Sequence, residues 1–389
     1  MPSQEAYLDN SATTRVYPEV VAEMQQVMEE KYGNASSLHR RGSEAERILH
    51  ASRRTIAEIL GTESREIIFT SGGTEANNLA VLGIARRYAR RGSHLITTAI
   101  EHASVLEPFK QLEKEGFTVS YLLPDERGVI DPRELAAALT PQTILVSIMH
   151  VNNEIGSIQP LSQISAAIKT KNPAVILHVD AVQSFCKLPL NPGEQGIDAL
   201  SLSAHKIHGP KGAGALYLRT GTLLEPLLWG GEHEKGLRPG TENTPGIAGM
   251  ALAARLSAQN RKEKASRLQS LKEKLISAVQ TEHPWATLNG PRMEEGAPHI
   301  FNLSFPGLKG EIILHALEQH NVYVSTGSAC HANSKKPSHV LQALHLEQDS
   351  LEGALRFSLS YLNTEEEITY AAAQINAVIH ALKKFHAKL

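Results

Sequence analysis

The sequence predicts an α/β protein: a mostly parallel seven-stranded sheet with helices on both faces, plus a smaller α+β unit. Two observations carry this expectation. Apolar, β-rich runs alternate with longer helix-period segments from about residue 43 to 260, and such alternation belongs to parallel sheets covered on both faces. Beyond it the text changes to one long amphipathic helix with alternating charge, opening at "NTPGIAGMALAARLSAQNRKEK", followed by "HIFNLSFPG" and further helices. A boundary is expected inside or just before that helix. It gives a large domain of residues 15–258 and a small one made of 1–14 and 259–389.

The seven strand runs are "EIIFT" (66–70), "HLITT" (94–98), "TVSYL" (118–122), "TILVSI" (143–148), "VILHV" (175–179), "ALSLS" (199–203) and "GALYL" (214–218). Each is short and largely apolar, and most carry β-branched residues, as expected of strands in a covered parallel sheet. Between most of them lie segments such as "EANNLAVLGIARRYARRG" and "ASVLEPFKQLEKEG", with apolar residues at helical spacing and Gly near the end. The last two runs are separated by a Gly/Pro-rich loop with no helix, so that connection departs from the pattern.

Composition narrows the function classes. A formal net charge of −2 over 389 residues offers no electrostatic reason to expect nucleic acid or an acidic membrane surface. The expected partner is small. Two cysteines cannot make a disulfide framework, and "MPSQEAYLDN" has neither a basic nor an apolar leader segment, so a reducing, cytoplasmic setting is expected. No apolar run approaches the roughly 20 residues of a spanning helix.

Open α/β sheets bind ligands beyond the carboxyl ends of their strands, and the polar residues of this chain collect there. After "EIIFT" comes "SGGTEANN", where Gly72 and Gly73 allow a tight turn and Thr74 opens a helix whose free N–H groups favour a phosphate. Gly-Gly-Thr is also an ordinary helix cap. After "HLITT", His102 stands at the next helix entry, as a capping residue or as something more. Asn152, Asn153 and Glu154 follow "TILVSI", and turn chemistry explains one Asn more readily than the set. Asp180 ends an apolar strand with Gln183 three residues on; a carboxylate there needs a buried ion pair or a cationic ring nitrogen. Finally "ALSLSAHKIHGPKG" runs into Ser203, His205 and Lys206. Most such lysines are solvated, but a desolvated one can form a Schiff base.

One cysteine, Cys330, lies in "STGSACHANSKKPSHV" among Gly, Ser, His and Lys, with no apolar neighbour to hide it. Access and nearby positive charge are what a reactive thiolate needs, and Lys335 and Lys336 are candidate sources of that charge. Cys186, in "SFCKLPL", reads as structural. Taken together, a lysine for an aldehyde, an acid for a ring nitrogen, a phosphate cradle and an imidazole cover meet the needs of pyridoxal 5'-phosphate. Two rival readings are a metal site built from His205, His208, Cys330 and His331, and a scaffold with a vestigial site. The first competes with other roles for the same residues, and the second should have lost Lys206 or Cys330.

The strings "YLDNSATTRV", "YGNASSLHRRG", "FTSGGTEANNLA", "EHASVL", "ILVSIMHVNNEIGSIQP", "HVDAVQS", "SAHKIHGPKGAGALY", "GLRPGTENTPGIAGM", "STGSAC" and "LRFSLSYLNTEEEI" resemble, in order and over nearly the whole chain, the class I cysteine desulfurases (NifS/IscS-like) of the aminotransferase class V family. The resemblance implies the fold type I of pyridoxal-phosphate enzymes and a set of roles. Lys206 would hold the cofactor and His102 would stack on it. Asp180 would pair with the ring nitrogen and Gln183 with the ring hydroxyl, while Gly73, Thr74, Ser203 and His205 would hold the phosphate. Thr241 would reach the phosphate of a neighbouring subunit, so a homodimer is implied. Arg356, with Asn153 and Asn34, would bind the carboxylate of L-cysteine. Cys330 would take the sulfur as a persulfide on a mobile loop (325–337) and pass it to an acceptor protein, an iron–sulfur scaffold or a tRNA-thiolation protein. His331-Ala332 stands where many members carry Thr-Ser or Ser-Ser, and a histidine there resembles selenocysteine lyases, the alternative activity. The chain also stops at Leu389 without the tail by which many members engage a scaffold, so no single acceptor is implied.

Overall fold

The computed structural model describes residues 4–326 and 337–386. The strands are β1 (Ala6–Tyr7), β2 (Ile67–Thr70), β3 (His94–Thr98), β4 (Thr118–Leu122), β5 (Thr143–Met149) and β6 (Ile176–Asp180). They continue with β7 (Ala199–Ser203), β8 (Gly214–Leu218), β9 (Thr287–Asn289), β10 (Ile300–Ser304), β11 (Val322–Tyr323) and β12 (Ala354–Ser358). The helices are α1 (Pro18–Glu30), α2 (Arg40–Leu60), α3 (Gly73–Tyr88), α4 (Ala103–Lys114), α5 (Pro132–Ala138) and α6 (Leu161–Lys171). After them come α7 (Thr244–Ala258), α8 (Arg261–Glu282), α9 (Gly310–Glu318), α10 (His339–Ala343), α11 (Gln348–Glu352) and α12 (Glu365–His386).

Strands β2 to β8 form one seven-stranded sheet in the order β2-β8-β7-β6-β5-β3-β4. Every pairing is parallel except those of β8, which runs antiparallel to both β2 and β7. The short β7–β8 connection, residues 204–213, is the reason: it is below the roughly dozen residues a parallel crossover needs, so the chain returns antiparallel. The β6–β7 connection is parallel yet built from turns across residues 181–198, with no α-helix. Alternate strand residues feed two cores. Ile67, Phe69, Leu177 and Val179 pack into one with α2, α6 and α7, while Ile68 and Ile176 pack into the other with α3 and α4. Burial on both faces explains why the strands read as continuous apolar runs.

A second sheet, β12-β10-β9, is antiparallel, and β1 pairs with β11 in parallel. They pack with α8, α9 and α12 around a separate core that includes Leu8, Leu275, Phe301, Phe357 and Ile375.

The single long helix expected from residue 244 onward is instead two. It breaks at Gln259–Asn260, where Asn260 takes a left-handed φ of 52°. The reason lies in the stripes. Ile247, Met250 and Ala254 of α7 serve the core of the large sheet, whereas Leu268, Leu275 and Val279 of α8 serve the second core. One straight rod cannot aim at both. Among the described residues no helix is long and apolar enough to cross a membrane.

Candidate active site

A cavity of about 630 Å³ opens where β2, β5, β6 and β7 end. At one side the chain leaves β2, turns through Gly72 at φ 154° and enters α3. A Cβ on Gly73 would lie 2.6 Å from the Val182 side chain, so this close approach needs glycine. No side chain caps α3, and its ladder starts only with the Ala76 amide donating to Gly72. The N–H groups of Gly73, Thr74 and Glu75 therefore project from the helix start as an anion cradle. The Ser203 hydroxyl beside it is buried without a partner. Burial, reinforced by Lys206, Lys211 and Lys187, pushes the His205 pKa down to about 4, so its ring is neutral at pH 7.

At the cavity floor Lys206 follows β7 in a short 3₁₀ turn, and its Nζ donates to the main-chain oxygens of Ser11 (2.5 Å) and Ala12 (2.7 Å). The N-terminal segment is locked to this turn, because Thr14 donates both N–H and hydroxyl to the His205 oxygen. Asp180 closes β6 and is buried. Its Oδ2 accepts from Asn77 Nδ2 (2.7 Å) and its Oδ1 from the Val182 amide (2.9 Å), which leaves lone pairs to accept a cationic ring N–H. His102 is the N-cap of α4. Its Nδ1 accepts the Ser104 amide (3.1 Å), which places the ring proton on Nε2, and burial holds its pKa below the ordinary value. Gln183 Nε2 donates to the Ser11 oxygen (3.0 Å), and its buried Oε1 has no partner.

Arg356, on β12, reaches the same cavity from the second sheet. Its Nη2 pairs with Asp9 (2.7 Å), its Nη1 donates to the Asn153 oxygen (3.1 Å), and its Nε is buried without a partner. The main chain of Arg356 also exchanges two hydrogen bonds with Ser325, fixing the last part of the chain described before residue 327.

The cavity thus brings together Gly73, Thr74, His102, Asn153, Asp180, Gln183, Ser203, His205, Lys206 and Arg356. Asn34 and Thr241 are exposed and do not line it. Cys330, His331, Lys335 and Lys336 lie outside the described residues. Cys186 is buried, as expected of a structural thiol, and burial pushes its pKa up. Sequence reasoning missed Asn77, Ser104 and Ser11. Asn77 had a signal, being a polar residue on the otherwise apolar buried face of α3, beside Ala76 and Ala80. Among the described residues no three His, Cys, Asp or Glu side chains form a metal-binding group.

Two buried carboxyls flank the cavity. Burial raises the pKa of Glu101 to about 8 and that of Glu154 to about 7, against opposing hydrogen bonds to Glu101 from Met149 and Thr98 and to Glu154 from Ser338. The folded state therefore holds more protons than the unfolded chain across this window, and the stability these groups contribute falls as pH rises from about 4.5 toward 8. Glu154→Gln does not titrate but keeps an acceptor for the Ser338 hydroxyl. Its denaturation midpoint should drop less than the wild type's between about pH 5.5 and pH 8; an equal drop would show that Glu154 is not the titrating group.

The family model of the aminotransferase class-V family matches residues 6–370. The chain belongs to the class-V aminotransferases. Curated relatives in this pyridoxal-phosphate family include the cysteine desulfurase IscS of Dictyoglomus turgidum, 43% identical over 380 residues, covering 98% of this chain and 96% of the relative. The cysteine desulfurase IscS of Klebsiella pneumoniae is 44% identical over 383 residues, covering 97% and 93%. A solved NifS-like protein superposes with a TM-score of 0.91 at 39% identity, over 97% of this chain and 99% of the other. A second structure, SspA in complex with cysteine, gives 0.81 at 35% identity over 92% and 100%.

The residues present fit the family's cofactor. An uncapped helix start and an unpartnered Ser203 hydroxyl suit a phosphate. A buried carboxylate with spare lone pairs suits a protonated ring nitrogen. The neutral His102 ring suits a stacking cover, and Lys206 suits an aldehyde.

Proposed function

We propose that this class-V aminotransferase is a cysteine desulfurase: it converts L-cysteine to L-alanine and takes the sulfur on Cys330. The convergence of Lys206, Asp180, His102 and Arg356 on one cavity carries the reading, and the cysteine desulfurase names of the relatives favour cysteine over selenocysteine. Pyridoxal phosphate, when bound, supplies an aldehyde for amines and a ring that accepts electron density from the substrate's α-carbon. Asp180 keeps the ring nitrogen protonated, and Asn77 and the Val182 amide hold its carboxylate in place. Arg356 binds the substrate carboxylate, which gives the buried Nε a partner. Asn153 supports it through the 3.1 Å contact. Lys206 removes the α-proton and later returns a proton to the carbon that loses sulfur. The Cys330 thiolate attacks the substrate sulfur, so that an S–S bond forms as the C–S bond breaks and the products are alanine and a Cys330 persulfide. Incubation of the reconstituted enzyme with L-cysteine should yield alanine, with sulfide appearing in equal amount once a reducing thiol is added. Absence of alanine while cofactor is bound would overturn the assignment.

The persulfide then passes to an acceptor protein, an iron–sulfur scaffold or a tRNA-thiolation protein, in the reducing cytoplasm where Cys330 stays a thiol. Residues 15–258 act as the cofactor domain, and residues 1–14 with 259–389 as the domain that carries the cysteine.

The active unit is a homodimer. Tyr32, Leu38, Leu228 and Trp229 are exposed by 69%, 103%, 52% and 86% on two segments joined by a 3.4 Å contact between Ser36 and His233, and they supply apolar surface for a second copy. Thr241 follows on this loop, away from its own cavity, and serves the partner's phosphate. Heterodimers purified from a mixture of inactive Lys206→Ala and inactive Thr241→Ala chains should recover about half the wild-type activity, because one of their two composite sites is then intact. No recovery in verified heterodimers would exclude a shared site.

A further inference from the structure

The loop that presents Thr241 is held in an unfavourable backbone conformation. Glu234 and Lys235 take φ of 46° and 61° in succession, followed by Gly236 at 72° and Gly240 at 105°. Two adjacent non-glycine residues in the left-handed region persist only when their surroundings over-determine them.

The surroundings here are specific. The Glu234 side chain is 2% exposed, and Arg53 grips it with a two-pronged ion pair, Nη1 to Oε2 at 2.7 Å and Nη2 to Oε1 at 2.6 Å. The Phe69 amide donates to the same carboxylate at 2.9 Å. The Arg53 guanidinium lies over the Phe69 ring, 4.6 Å from its centroid, and donates to the Ile67 oxygen. A second fastening follows four residues on, where Arg238 Nε donates to Glu75 at 2.8 Å while Glu75 also accepts the Ser71 amide at 2.7 Å. The first fastening ends on α2 and β2 and the second on the first turn of α3, so they flank the β2–α3 glycines that form the chain's own phosphate cradle.

Neither Arg53 nor Glu234 lines the cavity of its own chain. Removing two charges from water is costly, and a buried pair need not stabilise a fold more than apolar residues would. A positional role accounts for it better. We infer that the Arg53–Glu234 pair is a positioning device that acts across the dimer, holding residues 234–241 so that Thr241 completes the phosphate site of the partner's cofactor. The inference rests on the shared-site reading given above. Arg238–Glu75 ties the same loop to the cradle of its own chain, so each β2–α3 connection serves two phosphates, one directly and one through the loop.

The test uses tandem-purified mixed dimers of the holoenzyme, with dissociation of pyridoxal phosphate followed by absorbance after dilution. In the first, one chain carries Lys206→Ala with Glu234→Gln and the other is wild type. Covalent cofactor then sits only in the wild-type chain, next to the variant loop. Its loss should be about tenfold faster than in the reference dimer of Lys206→Ala with wild type, a change equivalent to about 1.4 kcal/mol, because the loosened loop weakens one phosphate contact. In the second, Glu234→Gln lies on the chain that keeps Lys206, and loss should match the reference. Equal rates in both arrangements, or a defect that stays with the chain bearing Glu234→Gln, overturns the inference. Arg53→Lys, which keeps the charge but not the fork, should repeat the pattern more weakly and stands in if Glu234→Gln does not fold. A Lys206→Ala, Thr241→Ala chain paired with wild type separates the two levels. If it leaves the wild-type site unaffected, the shared site itself is wrong; if it weakens that site while neither ion-pair variant does, only the ion-pair role is wrong.

Discussion

Replacing Cys330 by serine will leave a protein that binds pyridoxal phosphate normally and no longer forms alanine from L-cysteine. The groups assigned to the cofactor and to α-proton transfer, Lys206, Asp180 and the start of α3, are positioned by the ends of β7, β6 and β2. The C–S bond, however, breaks only when a nucleophile accepts the sulfur, and a serine hydroxyl at neutral pH is a far poorer nucleophile than a thiolate. Alanine formation should fall by about a thousandfold or more, as for removal of other catalytic nucleophiles, and mass spectrometry should find no added sulfur on the protein. Cofactor absorbance and the change on adding L-cysteine should persist. Selenium leaves carbon more readily, so the same variant should retain a larger share of its action on L-selenocysteine. Alanine production from cysteine near the wild-type rate would refute the persulfide route. A wild type that cleaves selenocysteine but ignores cysteine would move the chain to the lyase reading.

Much of the large sheet was legible because its strands other than the edge strand β4 are buried along their whole length and so stand out as short, largely apolar runs. The runs at 94–98, 118–122, 199–203 and 214–218 match β3, β4, β7 and β8 residue for residue. The reversed direction of β8 was foreshadowed by the short, helix-free connection before it. The break at Asn260 was not legible, because helix periodicity continues through it and only the destination of the two apolar stripes differs. Site residues at strand ends could be seen because topology alone gathers them. Contacts that join distant parts of the chain could not. Lys206 touches the main chain of Ser11 and Ala12, nearly two hundred residues earlier, through carbonyls that every residue carries. The raised pKa values of Glu101 and Glu154 depend on burial, which their polar neighbours in sequence give no hint of. Thr241 and Asn34 illustrate the opposite limit: a motif places them near a site, and the fold of one chain leaves them on its surface.

Reduction of the holoenzyme with borohydride will fix the cofactor on Lys206, and Lys206→Ala will lose both covalent attachment and activity. Two other amines make this a real choice. Lys187 is buried, and burial pulls its pKa down to about 7, the property that suits a lysine to condense with a carbonyl. Lys211 lines the cavity with Lys206. Geometry decides between them. Lys187 does not line the cavity, and Lys211 sits beside Gly212 in the turn after the 3₁₀ segment, exposed to solvent. Lys206 has its Nζ oriented by two carbonyls within 2.7 Å on the same cavity that Asp180 and His102 line. Alanine formation in Lys206→Ala should fall by about a thousandfold or more, since the variant loses both the covalent anchor and the proton carrier. Lys206→Arg should be as inactive, because a guanidinium keeps the charge but neither condenses with the aldehyde nor gives up its proton near neutral pH. Peptide mapping after reduction checks the site directly. A label on Lys187 or Lys211, or covalent cofactor retained in Lys206→Ala, would reassign the anchor and with it the base that takes the α-proton.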